Sequence, residues 1–192
     1  MNIKQLLVNI DFVVRNFYGI VTLKREKEIA NLLKRNALML ATVESCTGGL
    51  VSSRMTDLSG SSMYIWQNFI TYANEAKVNI LGVKRETIER VGVVSEEVSL
   101  EMVKGVLEKY NCTIALSTTG IAGPTGGTEQ KPVGLVYIGV ADREKSKSYR
   151  YEANPLLYRR IMKYAFSSKA LDCLLDFLKE NYWFLNKNNL LS

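Results

Sequence analysis

In the stretch VESCTGGLVSSRMTD, Ser45, Cys46 and Thr47 stand side by side, and Gly48 and Gly49 follow. Each of the three side chains is a potential nucleophile, and each is weak until a base takes its proton. The usual base is absent, because the chain contains no histidine. That excludes Ser-His-Asp and Cys-His catalysis and leaves lysine, tyrosine and the carboxylates as bases. The segment FITYANEAK supplies two of these, with Tyr72 at a strand end and Lys77 about one helical turn on, so both can face one cleft. A lysine deprotonates serine only when it is largely neutral. Its ordinary pKa is about 10.4, and burial lowers such a group by up to roughly 3–5 units. A tyrosine between the two would relay the proton. The alternative is structural: Lys77 pairs with Glu75 or Asn74 at the surface and Tyr72 is core.

Two glycine-rich loops accompany these residues. In ESCTGGL the glycines let the backbone approach a ligand, and N–H groups at the start of a helix attract negative charge. Equally, Gly48 and Gly49 can serve only close helix–strand packing, with Ser45 or Thr47 as an N-cap. The pattern G-x-x-x-x-G-K-[ST] is missing, so this is no P-loop. In GIAGPTGG, Gly120, Gly123, Pro124, Gly126 and Gly127 crowd into eight residues after an apolar run. Such a loop forms an anion-binding nest or a plain turn.

The elements that must position these groups alternate along the chain. Helical spacing predicts a helix over 26–36, and LMLATV (38–43) is a short apolar strand. A helix is expected from Thr47 to about Asp57, a strand over 63–72, and a helix from Asn74 that stops at Gly82. Ser95 reads as the N-cap of a helix in which Val98, Met102, Val106 and Tyr110 recur every four positions. TIALSTTG (113–120) and VGLVYIGVA (133–141) are nearly continuous apolar runs, as strands covered on both faces require. KSYRYEA (147–153) is a further strand, and a long helix from about Leu156 to Trp183 closes the order. Alternating strands and helices predict a three-layer α/β/α sandwich with a largely parallel, mixed central sheet. Ligands in such sheets bind beyond the carboxyl ends of the strands, where both glycine loops fall.

Composition bounds the rest. At 192 residues and 21.6 kDa, 47% hydrophobic and 23% charged, the chain reads as one globular domain. Cys46, Cys112 and Cys173 are odd in number and far apart, which supports neither a disulfide framework nor a zinc site and suits a reducing cytosol. The net charge of +6 is uneven: seven Lys/Arg against three Asp/Glu in 1–36, eight against eleven in 37–142, and ten against five in 143–192. The basic excess lies at the ends, away from the glycine loops, so no nucleic-acid surface is expected. Asp11 and Arg15 interrupt the apolar N-terminal stretch, which argues against a membrane span. Residues 1–25 are expected to form an appended helix or strand, packed on the domain or on a neighbouring subunit. That stretch and the aromatics Tyr182, Trp183 and Phe184 suggest a homodimer or higher homo-oligomer.

ESCTGG, GSS, TYANEAK, VSEE, GIAGPTGGTEQKPVG and VYIGVA occur in one order and at tight spacing. Together they resemble the C-terminal domain of the competence-damage-inducible CinA proteins, a family that includes stand-alone nicotinamide mononucleotide deamidases. The likeness covers roughly residues 26–152. The larger members carry a further N-terminal domain with no counterpart in this sequence. The implied layout is an extension over 1–25, the amidohydrolase domain over 26–184 and a tail over 185–192.

The resemblance implies hydrolysis of the nicotinamide carboxamide to nicotinate mononucleotide and ammonia, in pyridine-nucleotide recycling in the cytoplasm, without metal or organic cofactor. The family's nucleophilic serine falls on Ser45, and its tyrosine and lysine fall on Tyr72 and Lys77. Amides near Thr47, Gly48 and Gly49 would hold the oxyanion. Thr119, Gly120 and Gly123 would hold the ribose phosphate or the ring, and Cys46 would be packing. The chain departs from the family at its usual Gly-x-Arg entering the last helix, where it reads YEANPLLYRRIM. Arg159 or Arg160 is the available substitute as a phosphate contact. Two other readings stay open: a non-catalytic nucleotide-binding or interaction module in competence or damage response, and a deamidase for another amide-bearing metabolite.

Overall fold

The computed structural model describes residues 2–182; Trp183, Phe184 and the tail 185–192 lie outside the described residues. Five strands form one sheet: β1 (Leu40–Glu44), β2 (Ile65–Ile70), β3 (Ile114–Gly120), β4 (Leu135–Ala141) and β5 (Ser146–Glu152), in the order β2-β1-β3-β4-β5. β1 runs parallel to β2 and to β3, whereas β4 is antiparallel to both β3 and β5. The sheet is thus mixed. Its parallel half is made by helical crossovers. Its antiparallel half arises because the GIAGPTGG loop and the turn at Asp142–Lys145 return the chain directly. β1 is buried along its whole length and β3 and β4 along nearly all of theirs, as their apolar runs require, while the edge strand β2 exposes most of its residues.

Helices cover both faces. On one lie α2 (Lys24–Arg35), α3 (Leu50–Thr56) and α7 (Arg159–Tyr182), which bury Ile29, Leu33, Met55, Phe166 and Phe177 against the sheet. A buried ion pair ties this layer together: Arg54 donates through Nε to Glu26 at 2.9 Å, and its Nη1 donates to the hydroxyls of Ser167 and Ser168. On the other face lies α6 (Glu96–Lys109), with Val98, Met102, Val103 and Val106 buried. Ser95 caps it as expected, its hydroxyl accepting from the Val98 N–H at 3.3 Å, with Glu96 and Glu97 at the positive end.

The N-terminal stretch is a helix, α1 (Ile3–Thr22), separated from α2 by the left-handed residue Leu23. Asn9 anchors it to the domain: its side chain donates to the Leu156 carbonyl at 3.0 Å and accepts from the Tyr158 N–H at 2.7 Å. No single helix among the described residues is long and apolar enough to cross a membrane.

Two differences from the expected elements matter for the site. No helix starts at Thr47; residues 45–49 form a tight turn and α3 begins at Leu50. The expected helix from Asn74 is one α turn, α4 (Asn74–Ala76), that widens into a π turn over Lys77–Leu81 before Gly82 stops it in the left-handed region. A short helix, α5 (Arg85–Val91), follows.

Candidate active site

Glu44, the last residue of β1, builds the ESCTGG turn. Its carboxylate is buried and accepts from the Thr47 hydroxyl (2.6 Å), the Gly49, Val51 and Ser52 amides (2.9, 3.1 and 2.8 Å) and the Ser52 hydroxyl. These donors include the otherwise unpaired N–H groups at the head of α3, so one carboxylate both closes the turn and caps the helix. Gly48 and Gly49 take positive φ values of 61° and 91°, which the turn demands and other residues resist.

The turn delivers Ser45 to the end of β1, where its N–H donates to the Thr118 carbonyl of β3. Lys77 comes from the π turn, whose first residue it is. Its ammonium nitrogen lies 3.0 Å from Ser45 Oγ, 2.7 Å from the Thr71 carbonyl and 3.0 Å from the Tyr72 carbonyl. Lys77 is 1% exposed, and burial pushes its pKa down to about 8, opposed in part by the nearby Cys46. Its surroundings suit both protonation states. The charged form donates to all three oxygens. The neutral form donates to the two carbonyls and turns its lone pair to the Ser45 hydroxyl. π turns of this kind recur at functional sites. Gly105 of α6 makes room for this one: a Cβ there would stand 1.8 Å from the Leu81 carbonyl oxygen.

Tyr72 is placed differently from the expected relay. The Lys77–Ser45 contact is direct, and Tyr72 faces Lys77 with its main-chain carbonyl only. The reason is that β2 ends at Ile70, so the Tyr72 side chain swings out, 59% exposed, and its hydroxyl accepts from Arg159 Nη2 at 2.8 Å. Arg159, at the start of α7, also donates through Nη1 to the Gly123 carbonyl at 2.6 Å.

These groups border a cavity of about 390 Å³ lined by Cys46, Tyr72, Gly120, Gly123, Lys131 and Arg159, with Val93 and Val94 on one wall. Ser45 itself is not among the lining side chains; its neighbours Cys46 and Tyr72 are. Lys131, which the sequence reading did not single out, donates to the Val91 and Val94 carbonyls. Cys46 is buried and its thiol is pushed up to about 12 by burial, which leaves it inert.

Other expected contacts fall elsewhere. The Thr47 side chain is fully buried, shared between Glu44 and the Thr118 hydroxyl, so it presents no hydroxyl to a ligand. The Thr119 hydroxyl donates to the Val93 carbonyl and so holds the cavity wall. The Gly48 amide donates to the Ser45 carbonyl and the Gly49 amide to Glu44, so neither is available to an oxyanion. In this turn the Cys46 and Thr47 amides have no acceptor in another described residue. Gly48, Gly49 and Arg160 line a second cavity of about 510 Å³ between α1 and α7. Arg159 and Arg160 therefore serve opposite sides.

The CinA C-terminal domain family model matches residues 22–178. A CinA-like protein of Chloroherpeton thalassium is 48% identical over 163 residues, 84% of this chain and 39% of its own length. A putative competence-damage inducible protein of Caldicellulosiruptor saccharolyticus is 46% identical over 82% of this chain and 38% of its own. The chain thus spans about two fifths of the length of these relatives. Among solved structures, the competence/damage inducible protein CihA of Agrobacterium tumefaciens superposes with a TM-score of 0.77 at 35% identity, covering 80% of this chain and 93% of that one. A CinA superfamily protein from Klebsiella pneumoniae gives 0.77 at 27% identity, over 82% and 97%.

Proposed function

The chain belongs to the CinA C-terminal domain family, and we propose that it is an amidohydrolase that converts nicotinamide mononucleotide to nicotinate mononucleotide and ammonia. The observation that carries this reading is the buried Lys77 amine within 3.0 Å of the Ser45 hydroxyl. Neutral Lys77 takes the Ser45 proton as Oγ attacks the carboxamide carbon. The oxyanion that forms is held by the Cys46 and Thr47 amides, the first of these being the residue after the nucleophile. Lys77, now an ammonium, gives its proton to the departing nitrogen, and ammonia leaves a Ser45 ester. Water attacks that ester and passes a proton to Lys77, which returns it to Ser45 Oγ as the nicotinate is released.

The pyridine nucleotide suits the cavity beside this pair. Arg159 and Lys131 supply two cations for a phosphate. The backbone of the Gly120–Gly123 segment approaches closely enough to line the site, and Val93 and Val94 offer an apolar wall for ring or ribose. Arg159 at this cavity answers the loss of the family's Gly-x-Arg, because a guanidinium still enters the site from the start of α7.

Purified protein is expected to release ammonia from nicotinamide mononucleotide, and Ser45→Ala and Lys77→Ala are each expected to abolish the release. Wild-type protein that binds the nucleotide and turns none over would refute the reading. Preference for free nicotinamide over the mononucleotide would move the substrate to another amide.

A further inference from the structure

We infer that α1 is a self-association helix through which two copies of this chain pair. Ile3, Leu7, Ile10, Val14, Phe17 and Val21 recur at steps of four, three, four, three and four, and each is between 50% and 75% exposed. That alternation is the 3.5-residue period of a coiled-coil seam, with Leu7, Val14 and Val21 at one core position and Ile3, Ile10 and Phe17 at the other. The residues that hold α1 to its own domain occupy other helical positions: Val8, Asn9 and Phe12. Val13 and Ile20, on one flank of the seam, line the cavity beside Gly48 and Gly49. The helix therefore has one face on the domain and a straight apolar seam left without cover.

A second α1 fits that seam better than other occupants. The seam is self-complementary, as a two-fold interface requires. Twenty residues make a helix about 30 Å long, and covering such a seam on both copies removes on the order of 1,200 Å² from water, at the lower edge of stable interfaces. A lipid surface would call for a basic arc beside the apolar face. The charged residues of α1 are Lys4, Asp11 and Arg15, and Asp11 and Arg15 pair with each other at 2.8 Å. The family match begins at residue 22, so this device lies beyond the shared domain.

Sedimentation equilibrium of the full chain tests the pairing. The wild type is expected to be dimeric, and Leu7→Glu with Val14→Glu monomeric with an unchanged circular dichroism spectrum. Should that pair of charges disturb folding, Leu7→Ala with Val14→Ala is expected to weaken association at least tenfold while the domain melts as before. A monomeric wild type overturns the inference. So does a dimer that survives both double variants, which would place the interface elsewhere, such as the exposed edge strand β2. Wild-type protein that stays monomeric and floats with phosphatidylserine vesicles, losing that binding in the glutamate variant, would assign the seam to lipid.

Discussion

Raising the pH from 7 to 9 takes Lys77 from mostly charged to mostly neutral. Lys77 is held at about 8 by burial, and the nearby Cys46 thiol stands at about 12. If neutral Lys77 is the base, kcat/KM follows its neutral fraction: about 9% at pH 7, about half at pH 8 and about 90% at pH 9. The rate should rise about fivefold over the first unit and less than about twofold over the second, and then level. A lysine near its ordinary value would give about tenfold over each unit. The sign follows from the burial: a depressed lysine is inactive as a base below its pKa and active above it. Initial rates of ammonia release at low substrate, from pH 6.5 to 9.5 at constant ionic strength, read this directly. A tenfold rise that persists from pH 8 to 9 would refute a Lys77 depressed to about 8, and a rate independent of pH would refute Lys77 as the base. The interval above pH 8 is the discriminating one, because both cases rise below it.

Glu44→Gln removes the charge that organises the ESCTGG turn and turns a donor toward amides that need an acceptor. It is expected to cost at least ~2 kcal/mol in chemical denaturation and to abolish ammonia release. Gly105→Ala forces a Cβ into the Leu81 carbonyl, so either α6 or the π turn must move; loss of at least ~1 kcal/mol is expected in denaturation, with activity falling further than stability alone explains because Lys77 rides on that turn. Arg159→Ala is expected to raise KM for the mononucleotide about tenfold to a hundredfold while changing kcat less, as loss of a charge-assisted contact made throughout the reaction should. An Arg159→Ala variant with kcat reduced and KM unchanged would place the guanidinium at the reacting centre instead.

The parts of this site that are legible in sequence are those set by local rules. Strands β3 and β4 follow from apolar runs, Ser95 from its position before a periodic segment, and Gly82 from its place after one. The missing histidine and the spacing of FITYANEAK draw notice to Ser45 and Lys77, but from the residues alone a surface lysine is the alternative, and it is the resemblance to the CinA C-terminal domain that gives the two their roles. What is not legible depends on contacts between distant segments. Glu44 reads as an ordinary polar strand end, and only the fold of the next eight residues around it makes it the turn's anchor. Lys131 reads as a loop lysine until Val91 and Val94 supply its acceptors, some forty residues away. The direction of Tyr72 is illegible for a similar reason: β2 ends at Ile70, two residues before the sequence predicts, so Tyr72 lies beyond the ladder that would have aimed its side chain.

A buried lysine is costly unless every hydrogen of its amine is used, and that condition explains where this one sits. A regular helix from Asn74 satisfies its own carbonyls and offers none to a side chain. Here the carbonyls of Thr71 and Tyr72 lie just before the first helical turn, where no helical N–H reaches them, and the π turn brings Lys77 back to them. Two acceptors are thus fixed by the backbone and the third is Ser45. An acceptor count of two would strand a proton of the charged form. A count of three carbonyls would hold the lysine charged and leave no lone pair for the serine. Burial brings the amine close to neutrality, and two carbonyls and one hydroxyl satisfy it and aim it at Ser45, as the proposed chemistry of a serine without histidine requires.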